Sequence, residues 1–148
     1  MPQWIQIFSA LLTPVIAITV AVIGYLQWRT NQNKLKLDLF EKRYAIYEGI
    51  KDFISAVVQN GSAESDDLLK FIRSKQDALF LFKDDKVQYL QKMQKLGTEL
   101  HVLEMELKEP GAQERQKKIE RKYELLRWFG DQFENAAMLF SSDLKLNH

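Results

Sequence analysis

Arg115, Lys118 and Lys122 recur at i+3 and i+4 spacing in the segment Arg115-Gln116-Lys117-Lys118-Ile119-Glu120-Arg121-Lys122-Tyr123. That spacing sets three cations on one helix face, with Arg121 beside them. Clustered cations of this kind attract phosphates, acidic partners or anionic lipid, and Tyr123 is placed to stack on a base. Lys42 and Arg43, followed by Tyr44, offer the same combination of charge and ring elsewhere. The plainer reading of the first cluster is a solvated helix face, because Glu114, Glu120 and Glu124 partly neutralise it.

Little else in the chain is suited to catalysis. There are two histidines, His101 alone between Leu100 and Val102 and the terminal His148. A histidine without partner groups is a structural residue before it is a catalytic one. No glycine-rich phosphate loop, metal-ligand spacing or nucleophile–base pattern occurs. The carboxylate pairs Asp66-Asp67 and Asp84-Asp85 both fall at expected helix starts, where they favour the positive end of the helix. The expectation is therefore a protein that is not an enzyme and has neither metal nor cofactor.

The elements that position these residues begin with a sharp discontinuity. The first 28 residues carry no charged side chain, whereas the remainder holds all 21 basic and 20 acidic ones. Residues 4–26 form an apolar run that, at about 1.5 Å of rise per residue, covers a hydrocarbon core of about 30 Å. A cleaved signal peptide wants a basic n-region and a shorter apolar stretch, and neither is present. Trp4 at one end and Tyr25 with Trp28 at the other suit the two bilayer interfaces. Arg29, Lys34, Lys36, Lys42 and Arg43 follow the run and no Lys or Arg precedes it. The expected orientation is a short N-terminal stub outside and the rest of the chain in the cytoplasm. The absence of cysteine fits a reducing compartment.

Within the apolar run, Ala10, Pro14, Ala17, Ala21 and Gly24 follow a 4,3,4,3 spacing and lay a narrow stripe of small residues along one face. Such stripes let membrane helices approach closely, so the span is expected to associate with itself. Since one chain supplies one span, the association is a homo-oligomer.

The expected organisation is a transmembrane helix over residues 4–28, a juxtamembrane connector over 29–36 and an α-helical cytoplasmic domain over 37–148. Long helices follow from the lack of proline between Pro14 and Pro110 and from apolar residues at helical spacing. The first soluble helix covers about residues 36–59 and ends at Asn60-Gly61-Ser62. The second opens with Ser65 as N-cap and continues to Lys83. The third, with Asp84 as a cap, runs to Lys108 and stops at Pro110-Gly111. The last begins near Ala112. The fold class is all-α, a bundle of about four helices behind one span. The connector reads either as a continuation of the span or as a hinge at residues 29–33, with continuity favoured. Phe80 and the stretch from Ala136 to Phe140 are apolar on every side and need a second surface to cover them.

Three stretches resemble small bacterial single-span membrane proteins of uncharacterised function: Lys34-Leu35-Lys36-Leu37-Asp38-Leu39-Phe40-Glu41-Lys42-Arg43-Tyr44-Ala45-Ile46-Tyr47, Asp77-Ala78-Leu79-Phe80-Leu81-Phe82 and Leu125-Leu126-Arg127-Trp128-Phe129. That resemblance implies a shared helical fold and residence in the bacterial inner membrane, with no activity attached. In layout the chain is also similar to membrane effectors of type III CRISPR defence, which implies a tetramer that binds cyclic tetra-adenylate and perturbs the membrane. No site residue transfers from that family by motif. Compatible residues are Arg115, Lys118, Arg121, Lys122 and Tyr123, with Lys42 and Arg43. The leading expectation is thus a homo-oligomeric antiphage effector with membrane lipid, itself and a cyclic oligonucleotide, but no long nucleic acid, as partners. The alternative is a membrane-anchored structural or adaptor protein that binds a cytoplasmic protein and no ligand.

Overall fold

A computed structural model of the chain describes residues 2–111 and 113–145. Its elements are α1 (Gln3–Asn60), α2 (Ser65–Ser74), α3 (Ala78–Leu81), α4 (Asp84–Lys108) and α5 (Arg115–Phe140). No strand occurs among the described residues, so the chain is all-helical. It divides into two compact units, Met1–Asp38 and Leu39–His148.

The first unit is the leading part of α1. Every described side chain in it is exposed, Trp4, Phe8 and Trp28 included. It is long and apolar enough to cross a bilayer. Pro14 lies inside the helix and lacks the N–H that the carbonyl of Ala10 would otherwise receive. Thr19 and Thr30 turn their hydroxyls onto their own helix, donating to the carbonyls of Val15 and Leu26 at 2.8 Å each. Such back-bonding satisfies each hydroxyl within its own helix. Helical secondary structure continues through residues 29–33, so the hinge alternative is not realised there.

The second unit builds its own core. Ile46, Ile50, Phe53, Ile54 and Val57 give α1 a buried stripe at helical spacing. Phe53 is the centre of one aromatic cluster, stacked on Phe71 of α2 at 4.6 Å between ring centroids and met edge-on by Phe129 of α5 at 5.6 Å. Both arrangements are favoured by the ring quadrupoles. Phe140 organises a second cluster with Phe82 at 5.0 Å, Tyr89 at 6.1 Å and Tyr47 at 6.3 Å. Gly97 of α4 lets that helix close onto α1 and α2, since a Cβ there would lie 2.8 Å from the Phe53 ring and 3.3 Å from Leu68.

Several boundaries differ from the expected ones. Ser65 is the first helical residue and not the cap; extended Glu64 takes that place without a side-chain cap bond, and its carbonyl accepts from Leu68 N–H at 3.0 Å. Lys83, likewise extended, precedes α4, which moves Asp84 from the cap into the first turn. The single helix expected from Ser65 to Lys83 is broken at residues 75–77. There Gln76, Ala78 and Phe80 bond three residues back, to Arg73, Lys75 and Asp77, and the tighter turns split α3 from α2. The last helix starts at Arg115, behind Glu114 in the left-handed conformation at φ 56°. Its expected start at Ala112, and His148, lie outside the described residues.

Candidate functional site

The basic face of α5 lies against α4, and its cations meet carboxylates of that helix. Arg121 forks onto Glu99, Nε to Oε1 at 2.7 Å and Nη2 to Oε2 at 3.1 Å, and donates again to Glu124 at 3.1 Å. Lys122 reaches Glu104 at 2.5 Å and Lys118 reaches Glu106 at 3.1 Å. These pairs run outward from the Pro110-Gly111 turn as an antiparallel ladder between the two helices. Arg115, at the turn end, donates from Nη1 to the carbonyl of Leu107 at 3.3 Å. Tyr123 remains exposed beside it. A shallow groove of about 280 Å³ joins Arg115, Lys122 and Tyr123, but Glu104 is also in its wall.

Hydrogen bonds from Arg121, opposed by partial desolvation, hold the Glu99 carboxyl below its usual range. The same bonds, from Glu99 first and Glu124 second, push the Arg121 guanidinium above its own. A carboxylate with a depressed folded pKa contributes stability that is complete above its unfolded value and is lost as pH falls through the folded one. Lowering pH from about 5 to 3 should therefore cost stability, and Glu99→Gln should remove part of that dependence. Both groups are partly solvated, so the loss at neutral pH stays below about 1 kcal/mol. Denaturant titrations of both proteins across that range check it; parallel pH profiles would show that the pair contributes nothing.

The second cluster divides between two roles. Arg43 Nε donates to the carbonyl of Leu81 at 3.0 Å, and its guanidinium lies 6.0 Å from the Phe82 ring centroid, so it fastens α3 to α1. Lys42 is exposed. Tyr44 stacks on Phe40 at 5.9 Å, and the neighbouring Glu48 carboxylate raises the phenol pKa. Glu48 is held low chiefly by Lys51, which pairs with it at 2.9 Å.

In the first unit, Ala10, Pro14, Ala17, Ala21 and Gly24 are all exposed, and among the described residues nothing beyond its own helix lies within 4 Å of where a Gly24 Cβ would be. His101 takes a structural place: its Nδ1 lies 2.8 Å from the carbonyl of Ala63, which can only accept, so the proton sits on Nδ1. That bond ties the α1–α2 turn to α4. Among the described residues no three His, Asp or Glu side chains converge as metal ligands would.

The acids of α4 are what sequence reasoning overlooked. Glu99, Glu104 and Glu106 lie within about three turns before Pro110-Gly111, and Lys118, Arg121 and Lys122 within about three turns after it. In an antiparallel hairpin opposite charges on the two sides of a turn can meet, and that is the signal the sequence carried.

No protein-family model matches the chain, and no curated protein or solved structure matches it.

Proposed function

We propose that the chain is a single-span membrane protein whose helical body is a docking module, held at the cytoplasmic face of a bacterial inner membrane and gathered into a homo-oligomer through its span. The observation that carries this reading is the contrast between the units. One is a helix whose first 28 residues carry no charge and none of whose described side chains is covered, and the other is a body with its own core. An apolar helix bare on every face needs lipid or another helix around it. The five cations between Arg29 and Arg43 favour the orientation with the body inside.

The ion ladder favours the adaptor form of this reading over an antiphage effector that holds cyclic tetra-adenylate on the α5 face. Phosphates arriving there would have to displace Glu99, Glu104 and Glu106 from cations already paired at hydrogen-bonding distance.

The cysteine-free chain makes the topology directly measurable. A cysteine at Gln3 should react with an impermeant maleimide in intact cells, and one at Gln59 only after lysis. The opposite pattern would overturn the orientation. Val15→Arg, mid-span, should oppose insertion by about 2.5–3.5 kcal/mol and shift the protein toward the alkali-extractable fraction. An unaltered membrane fraction would mean that the helix is held by something other than the bilayer interior. Disulfide trapping between Ala17→Cys copies should give a covalent dimer, and monomer alone would remove self-association through that face.

A further inference from the structure

Directly behind the uncharged stretch, residues 29–37 hold three cations, Arg29, Lys34 and Lys36, and no acid; Asp38 is the first carboxylate side chain of the sequence. All three cations are exposed, and among the described residues none of them forms an ion pair. In this they differ from Lys118, Arg121 and Lys122, each of which faces a carboxylate of α4. Their charge is left for something outside the chain to neutralise.

Their place on α1 selects what that is. Trp28 has the ring that suits a bilayer interface. At about 1.5 Å of rise per residue, Arg29 is level with it, Lys34 lies about 9 Å further along the axis and Lys36 about 12 Å. The headgroup layer on each side of a bilayer is about 5–8 Å deep. Helix side chains tilt toward their own N-terminus, and lysine stems are long, so on a helix leaving the membrane both ammoniums can reach back to the phosphate level. A shallow groove on α1 runs in the same direction, lined by Ile23 and Leu26, then Gln27, Thr30 and Asn31, then Lys34. That order, apolar to amide to cation, matches the acyl chain, glycerol ester and phosphate of one phospholipid. The Thr30 hydroxyl is engaged with the Leu26 carbonyl at 2.8 Å, so Gln27, Asn31 and Lys34 are the donors left for ester and phosphate oxygens. Arg29 and Lys36, seven residues apart, share another face of the helix. Cations on two faces fit a shell of lipids around a bare helix, where one compact ligand would engage a single face. A zwitterionic headgroup brings its own cation and an anionic one does not, so three cations without an acid favour the anionic lipid.

We propose that residues 23–36 of α1 form a binding surface for anionic phospholipid, with acyl chains along Ile23 and Leu26 and phosphates at Arg29, Lys34 and Lys36. The inference rests on the single-span reading and deepens it, because the junction then selects the lipids that surround the span.

The full chain carrying Trp4→Phe and Trp128→Phe keeps Trp28 as its one tryptophan. In nanodiscs, whose two faces have the same composition, its fluorescence is quenched with brominated phosphatidylglycerol or brominated phosphatidylcholine. Phosphatidylglycerol should be preferred at least about fivefold, the enrichment that about 1 kcal/mol gives. Arg29→Gln with Lys34→Gln and Lys36→Gln should bring the preference within about twofold of unity, while Lys34→Arg with Lys36→Arg should keep it. Arg115→Glu with Lys118→Glu should leave it unchanged, as should excess inorganic phosphate at constant ionic strength. Equal quenching by the two lipids overturns the proposal, as does a triple glutamine variant that prefers phosphatidylglycerol like the parent. Loss of the preference to inorganic phosphate would assign the cations to a soluble anion and overturn it too. Failure of the single-span reading looks different: neither brominated lipid would then quench Trp28.

Discussion

Phe53→Ala should lower the stability of the helical body by about 3–5 kcal/mol, the largest loss expected from any single truncation in the core. The ring is 2 % exposed and, among the described residues, is the only one paired with both the Phe71 and the Phe129 rings, so it links α1 to α2 and α5 at once. Removing it deletes the stacked and the edge-on contact and leaves a cavity that three helices, each fixed by other contacts, cannot close. For a body of this size the midpoint of thermal unfolding should fall by roughly 10–25 °C. Circular dichroism melts in detergent measure it, with Phe80→Ala as control. Phe80 is 82 % exposed, and its truncation should stay within about 0.5 kcal/mol of the parent. A Phe53→Ala loss no larger than the control would mean that the three rings do not share a core. Gly97 supplies an internal check: its missing Cβ would lie 2.8 Å from the Phe53 ring. Gly97→Ala should therefore be harmful in the parent and nearly neutral beside Phe53→Ala, because contacting residues do not add.

That pairing of Gly97 with Phe53 marks the limit of what the sequence made legible. Helical periodicity exposes the stripe that includes Phe53, because a repeat of 3.6 is a local property. It does not say which glycine on another helix must yield to the ring, which depends on the approach of two helices distant in sequence. The turns at Asn60-Gly61 and Pro110-Gly111 were readable for the same local reason, with Gly61 and Gly111 at φ 66° and 84°. The break at residues 75–77 was not, since Leu68, Phe71, Ala78 and Phe82 keep helical spacing across it. The cations of α5 were visible, but the carboxylates that pair with them become neighbours only when α4 and α5 fold back on each other.

Lys86 and Asp143 show the same limit in the core, and carry the second large expected effect. Lys86 sits in the first turns of α4 with its side chain 7 % exposed, paired with Asp143 in the turn after α5, which is 16 % exposed. Among the described residues, Asp143 Oδ2 is buried with no partner besides that ammonium, and the turn carrying it is held by Asp143 and Leu144 N–H groups donating to the Phe140 carbonyl at 3.1 and 3.2 Å. Taking both charges from water costs nearly what their attraction returns, so the pair as a whole adds little net stability. Removing one member is different, because the other is left charged and unpaired in an apolar surrounding. Lys86→Met should therefore cost about 3–5 kcal/mol, whereas Lys86→Met with Asp143→Leu should recover most of that loss. The double-mutant cycle by urea unfolding separates the two. A double variant as unstable as Lys86→Met alone would show that the pair is a source of stability in its own right. Recovery would assign it to fixing where the end of α5 meets the start of α4, beside the Phe140 cluster, a matter of register more than of energy.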